Sequence, residues 1–349
     1  MTDADVRGES VMAPAGYYNR HSSLQAAAAE SGFGWLAEAA ATVPLPEAGP
    51  VTVADYGVAQ GANSMVPMGV VLDGLRARTD RPVHVVHTDL PGNDFAPLFE
   101  LFAGDPTSYL RGRTDVYPYA IGRSFYRQLF PERTLHVGWS ATTTHWLSHT
   151  PPIEVGHVNP MLNPPEVRDR FAEVAAADWV AFLEARAGEL APGGRVVMVE
   201  PTSQPGGSMG AEGFNGLLDE ALARLVERGT ITAEQRAAMV IPVWIRSPEE
   251  YAAPVDDVRG LHLIRHQVVA KPTNPLRVRF DETGDARAYA EAMAGSARGW
   301  SESMLFGGLP DGARVADEFF ALLADLGAED PARLHIETWD VVMELGRDG

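Results

Sequence analysis

The sequence predicts an α/β protein: a mostly parallel sheet with crossover helices, and a mostly α-helical cap region placed at one edge of that sheet. Short β-branched runs alternate with helical stretches through residues 51–200, which is how a parallel sheet with crossovers reads. Runs such as Val83-His84-Val85-Val86 are nearly continuous in apolar character, as strands covered on both faces are. Beyond Glu200 the texture becomes chiefly helical, and ligands of open α/β sheets bind where the strands end, so a helical layer there is a candidate lid. With 349 residues and 45% hydrophobic content the chain can build a large core.

The elements follow in order. Val51–Asp55 reads as a strand and Asn63–Arg78 as the helix after it; Pro82–His87 is a second strand, Asp94–Ala103 a second helix, Thr134–Trp139 a later strand. From Pro165 to Leu190, Val167, Phe171, Val174, Trp179, Phe182 and Leu183 recur at mostly helical spacing, and Pro192-Gly193-Gly194 stops that helix before the strand Arg195–Glu200. Pro201–Gly210 is a loop by composition. Leu217–Arg228 is an amphipathic helix ended by Gly229, and Thr232–Met239 is helical, followed by the proline-punctuated segment Val240–Pro248. Leu261–Val269 and Leu276–Phe280 read as edge strands, Ala286–Ser296 and Ala313–Leu326 as helices. The expected division is a core over 1–200, which late strands near 261–280 and 333–346 rejoin, and a cap over 201–260 and 281–330.

Charge narrows the partners. Lys plus Arg is 28 against 47 Asp plus Glu, a formal charge of −19, which repels nucleic-acid phosphates and anionic membranes alike. The absence of cysteine excludes disulfides, thiolate catalysis and cysteine-held zinc. The acidic start, with no apolar run behind it, predicts no leader peptide and no spanning helix, hence a cytoplasmic protein.

Asp55-Tyr56-Gly57-Val58-Ala59-Gln60-Gly61-Ala62-Asn63 joins the first strand to its helix. Glycines there permit positive φ and let the backbone approach a ligand. The dinucleotide pattern GxGxxG is absent, and the acid before the first glycine suits a cationic or hydroxyl-rich ligand such as S-adenosylmethionine; an ordinary glycine-rich turn is the alternative. The second strand ends in Asp89, whose two oxygens could accept both hydroxyls of a ribose. Asp94 reads as a helix cap. No nucleophilic triad, glycosidase pair or metal box stands out, and His84, His87 and His136 read as histidines satisfied within strands.

Five separated segments resemble one family. Tyr18-Asn19-Arg20-His21-Ser22-Ser23-Leu24-Gln25 resembles its Y-x-x-N-S-x-x-Q, and Asp55–Asn63 its D-x-G-x-x-x-G-x-N. His87–Phe95 (HTDLPGNDF) resembles N-D-L-P-x-N-D-F, Gly122–Pro131 (GRSFYRQLFP) resembles G-S-F-Y-x-R-L-F-P, and Ser140–Ser148 resembles S-S-x-x-x-x-W-L-S. The family is SABATH, whose members methylate the carboxylates of salicylate, benzoate, jasmonate and indole-3-acetate, and ring nitrogens of xanthines, using S-adenosylmethionine. The likeness continues through Phe182–Arg186, Ile241–Glu250 and Arg298–Leu305.

The resemblance implies a class I methyltransferase Rossmann-like sheet, with Tyr18, Ser22, Gln25, Asp55, Gly57, Asn63, Asp89, Leu90, Ser124, Phe125 and Ser140 on the cofactor. It places Asp89 on the ribose and Ser124 and Phe125 around the adenine. Gln25 and Trp146 fall where the carboxyl methyltransferases hold the substrate carboxylate through N–H donors, as an anionic acceptor requires. Thr142, His145, Phe214, Asn215 and Ala297 fall on the acceptor pocket. His21 departs from the family's Asn, Thr142 from a frequent Tyr and His145 from the Met of salicylate-type enzymes; these changes bear on which acid is taken. The implied function is O-methylation of a small, aromatic carboxylic acid by in-line transfer without a general base, with no metal required and a homodimer as an option. N-methylation of a heterocycle, or a non-catalytic binder of the cofactor or of a small acid, stand as alternatives.

Overall fold

The computed structural model describes residues 11–204, 207–271 and 274–349, so the first ten residues and Pro205, Gly206, Pro272 and Thr273 lie outside the described residues, and with them the reading of the chain's start and part of the expected loop. The N-terminal segment carries α1 (Tyr17–His21), α2 (Ser23–Ala29) and α3 (Phe33–Thr42). Then come β1 (Val51–Tyr56), α4 (Met65–Arg76), β2 (Val83–Asp89), α5 (Ala96–Gly104), β3 (Val116–Gly122) and β4 (Leu135–Ala141). The chain continues through α6 (Pro165–Glu189), β5 (Leu190–Thr202), α7 (Glu212–Glu227), α8 (Ala233–Ala237) and α9 (Pro248–Ala252). It closes with β6 (Leu261–Ala270), α10 (Pro275–Thr283), α11 (Ala286–Phe306), α12 (Gly312–Glu329) and β7 (Trp339–Arg347).

One sheet holds all seven strands in the order β3-β2-β1-β4-β5-β7-β6. The first five pair in parallel, while β7 runs antiparallel to both β5 and β6. Both faces are covered: α3 and α4 supply Leu36, Ala40, Met68, Val71 and Leu75 on one side, and α6 supplies Trp179, Phe182 and Leu183 on the other. A separate core of Leu217, Leu222, Tyr289, Met293, Phe306, Phe319 and Leu323 joins α7, α11 and α12. Among the described residues no helix is long and apolar enough to cross a membrane.

Two expected elements differ. Leu276–Phe280 is no strand but part of α10, because Asn274 accepts the Leu276 N–H at 2.8 Å and Pro275 opens the helix. Leu276 and Phe280, one helical turn apart, pack on the helical core while Val278 between them is 43% exposed. The late strand therefore ends at Ala270. Strand β5 starts earlier than Arg195: Leu190 pairs with Leu135 before a register shift carries the Pro192-Gly193-Gly194 stretch as an irregularity. The Thr232 reading is met by a complete capping box with Gln235.

Candidate active site

Strand β1 lies between β2 and β4, and the chain departs to opposite sides from it, so the crevice beyond its carboxyl end is the sheet's switch point. The turn leaving β1 uses positive φ at Gly57 (73°), Ala59 (48°) and Gly61 (89°). A Cβ on Gly57 would stand 2.2 Å from Thr143 Cγ2, so the loops after β1 and β4 can approach only because this position is glycine. The N-terminal segment and α5 flank hold the turn. Asn19 Nδ2 donates to Gln60 O (3.0 Å), Ala62 N–H donates to Asn19 Oδ1 (3.1 Å), and Asn93 Nδ2 donates to Ala59 O (2.7 Å).

Asp89, at the end of β2, accepts the Ala59 N–H at 2.6 Å and the Leu90 N–H at 2.7 Å. These two backbone donors fix the orientation of the carboxylate at the end of β2. Tyr18 is close enough that burial and then the Asp89 charge push its phenol well above the usual range. Asp55 is buried, with His87 Nδ1 3.7 Å from its Oδ2; His87 Nε2 in turn lies 2.9 Å from the Tyr109 hydroxyl. Asn63 Nδ2 donates to Ser22 Oγ at 3.2 Å, joining two of the expected positions. Ser124 and Phe125 follow β3, whose Gly122 pairs with Asp89.

The segment after β4 is held from several sides. Glu200, fully buried on β5, accepts the Thr143 and Thr144 N–H groups at 3.0 Å each and the Ser140 hydroxyl at 3.2 Å. Tyr126 Oη donates toward Thr144 O (3.0 Å) and Trp146 O (2.5 Å), and buried Arg246 donates to Thr144 O at 2.6 Å. Trp244 N–H donates to His145 O, and Trp146 bridges to Val243. A loop with its backbone polar groups so engaged presents its side chains from a rigid base. His145 Nδ1 lies 3.7 Å from Glu200 Oε2; burial lowers the imidazole's pKa, against which Glu200 acts. The sequence offered no such carboxylate for His145, because the partner lies on another strand.

Between this edge and helices α2, α7 and α11 is a cavity of about 150 Å³. Leu24 and Gln25 enter from α2, Phe214 from α7, Met293, Ser296, Ala297 and Trp300 from α11, and Thr142, Lys271, Ile336 and Thr338 from the sheet side. Gln25 Oε1, Thr142 Oγ1 and Ser296 Oγ are buried with no hydrogen-bond partner among the described residues. Buried polar atoms are normally paired, so a mostly apolar pocket with such atoms on its walls has the make-up of a small-molecule site.

The structure thus brings Gln25, Thr142, Phe214 and Ala297 onto one cavity, with Trp146 beside it through ring contact to Trp300 at 6.3 Å. Other positions named from the sequence make contacts of their own. Asn215 Oδ1 accepts from Asn159 Nδ2, Ser140 is fully buried on Glu200, Phe125 packs on Phe182, and His21 stacks on Tyr17. His136 accepts the Thr52 N–H, as a histidine satisfied within a strand does. Asp94 takes the Ala96 N–H at the head of α5 and also the Ala15 N–H. Glu200, Tyr126, Arg246, Ser296 and Lys271 were missed in the sequence; of these only Lys271 has a countable signal, being the sole lysine among the 28 basic residues.

Comparison with known proteins agrees with this architecture. The profile of the family described as SAM dependent carboxyl methyltransferase matches residues 14–348. Gibberellic acid methyltransferase 2 of Arabidopsis thaliana is 30% identical over 245 residues, 61% of this chain and 61% of that protein, so under two thirds of that relative's length is spanned. Indole-3-acetate O-methyltransferase 1 of the same plant is 29% identical over 313 residues, 80% of each chain. A solved loganic acid methyltransferase with SAH shares the fold at TM-score 0.81 and 21% identity, covering 97% of this chain and 99% of that one. With the profile spanning nearly its whole length, the chain belongs to the SAM-dependent carboxyl methyltransferase family, the SABATH group that its motifs resemble.

Proposed function

We propose that the protein is an S-adenosylmethionine-dependent O-methyltransferase that esterifies a small carboxylic acid bound in the cavity between α2, α11 and the sheet edge. The observation that carries this is Gln25: an amide on the wall of an otherwise largely apolar cavity, its buried oxygen unpaired among the described residues, so that a half-turn of the side chain can present its NH2 to a carboxylate, in a chain matched to the carboxyl methyltransferases along nearly all its length. The residues at the switch point fit the cofactor. Asp89, an acid at the end of β2 oriented by the Ala59 and Leu90 N–H groups, is placed for a ribose diol, and Asp55 and Ser22 stand near the turn for the polar amino acid part, with Ser124 beyond Gly122. When bound, S-adenosylmethionine supplies a methyl group on a positively charged sulfur.

The chain's own contribution is orientation and exclusion of water. A carboxylic acid with a pKa near 4 is ionised at neutral pH and needs no proton removed. Gln25 Nε2 and the Trp146 indole N–H act as neutral donors that hold the carboxylate, and Leu24, Phe214, Met293 and Trp300 keep water away while carboxylate and sulfonium charges cancel. The helical region over 201–260 and 281–330 serves as the cap. A second reading, transfer to a ring nitrogen, is favoured by His145, whose neutral ring stands beside Glu200 as a base beside its orienter does. The pH dependence separates the two. For a carboxylate acceptor, kcat/KM is flat between about pH 6 and 8 and falls only towards the acid's own pKa. A rise that is complete by about pH 6.5, lies above the acid's own pKa and is removed by His145→Gln would move the reading to the ring nitrogen.

A further inference from the structure

We propose that Lys271, paired with Asp340, reads an oxygen atom on the non-reacting part of the acceptor, so that the substrate is an acid bearing a carbonyl or hydroxyl group away from its carboxylate. This rests on the reading of the cavity as the acceptor site. Lys271 is the chain's only lysine; the other 27 basic side chains are arginine. It follows β6, with its backbone N–H on Thr338 O at 3.0 Å, and its ammonium lies 3.0 Å from Asp340 Oδ1 on β7. Asp340 is fully buried and Lys271 partly so, its side chain 16% exposed. An ammonium carries three donors, and among the described residues Asp340 is the side-chain partner recorded for it. A guanidinium there would fill much of a cavity of about 150 Å³, whereas the compact ammonium leaves room for a ligand atom.

Strand order argues that this donor serves the acceptor's tail. Lys271 follows β6, separated from β4 by β5 and β7, whereas the expected cofactor crevice lies between β1 and β4. A positive charge on the reacting carboxylate would also oppose the reaction, because it stabilises a negative charge that the transition state is losing. Pairing with Asp340 leaves Lys271 as a donor with little net charge, suited to a neutral oxygen and poorly suited to a second carboxylate. Ser296 supplies the complementary wall. Its hydroxyl, unlike that of Ser301 on the same helix, which returns to Ala297 O at 2.7 Å, has no partner among the described residues. A ligand oxygen that accepts from Lys271 or Ser296, or a ligand hydroxyl that donates to Ser296 Oγ, would satisfy these groups.

The test uses matched acids that differ by one oxygen function: 4-hydroxyphenylacetate against phenylacetate, and 4-oxopentanoate against pentanoate. The full-length protein should favour the oxygenated member of at least one pair by about tenfold in kcat/KM, the discrimination of one charge-assisted hydrogen bond. Lys271→Met should bring that ratio towards one. Because Asp340 would then be buried without its cation, Lys271→Met with Asp340→Asn is measured beside it and should give the same loss. Equal use of both members of both pairs by the unmodified protein, or a preference that survives in both variants, overturns the proposal. If no acid is methylated, the carboxylate reading itself fails. The role of Lys271 is then decided by calorimetric binding of the same acids to protein saturated with S-adenosylhomocysteine: a stronger affinity for the oxygenated member, lost in the variants, supports it, and equal or absent binding overturns it.

Discussion

Replacing Glu200 by alanine tests whether the segment carrying Thr142, His145 and Trp146 is held in place by one buried carboxylate. The side chain accepts the N–H groups of Thr143 and Thr144, each at 3.0 Å, and the Ser140 hydroxyl at 3.2 Å, all away from solvent. Removing the acceptor strands two buried backbone donors, each costing about 1–3 kcal/mol, so the variant should lose about 2–6 kcal/mol of stability. Glu200→Gln retains an acceptor oxygen of the same shape and should lose about 1–2 kcal/mol. Urea unfolding reads this as a shift in midpoint at unchanged slope. With the loop loosened, kcat/KM for the acceptor should drop more than cofactor affinity, since among the described residues Asp55 and Asp89, the acids proposed for the cofactor on β1 and β2, make no hydrogen bond to Glu200. A loss below about 1 kcal/mol for the alanine variant, or an equal effect of glutamine and alanine, would refute the anchoring role.

Asp89→Ala should weaken S-adenosylmethionine binding by about 1.5–3 kcal/mol, the scale of a hydrogen bond to a charged group, and unchanged calorimetric affinity would overturn the ribose assignment. Trp146→Phe should cut kcat/KM for the acid about tenfold while leaving cofactor affinity intact, because the indole N–H goes and most of the apolar wall stays; lost cofactor binding would make Trp146 structural. His136, His145 and His157 are all held below the ordinary histidine range, chiefly by burial. The unfolded chain therefore binds more protons near and below pH 6.5, so this stability is present above that pH and lost as pH falls towards the folded-state values. Asp178 and Asp340, raised by burial, act in the opposite sense at lower pH. Melting temperature should accordingly fall on acidification from neutrality, and His145→Gln should flatten the slope; an unaltered slope would contradict it.

Strands β1, β2 and β4 were legible because each is almost wholly buried and so reads as a mostly apolar run, with Asp55, Asp89 and Ser140 at or next to its end. Strand β3 was not read: it is an edge strand with alternating exposure and Pro118 at its middle, a residue that an edge tolerates and a central strand does not. Leu276–Phe280 was misread because three alternating apolar residues resemble a strand, whereas the Asn274-Pro275 pair before them starts a helix. The glycine turn and Asp89 are local signals and could be placed. Glu200, Arg246 and Lys271 could not, since their partners lie far along the chain and meet them only once β5, β6 and β7 pair. The motif at Gly122–Pro131 gains a physical basis from buried Arg186, which donates to Phe125 O and Arg127 O while paired with Glu189, tying that segment to α6.

The most direct measurement is product analysis after incubating the protein with S-adenosylmethionine and a panel of carboxylic acids, including the oxygen-bearing pairs above. The account predicts a product one methylene heavier than an acid of the panel, from which mild alkali returns the free acid, as a methyl ester must. A methylated product stable to alkali, or methylation of heterocycles with every acid untouched, would contradict it.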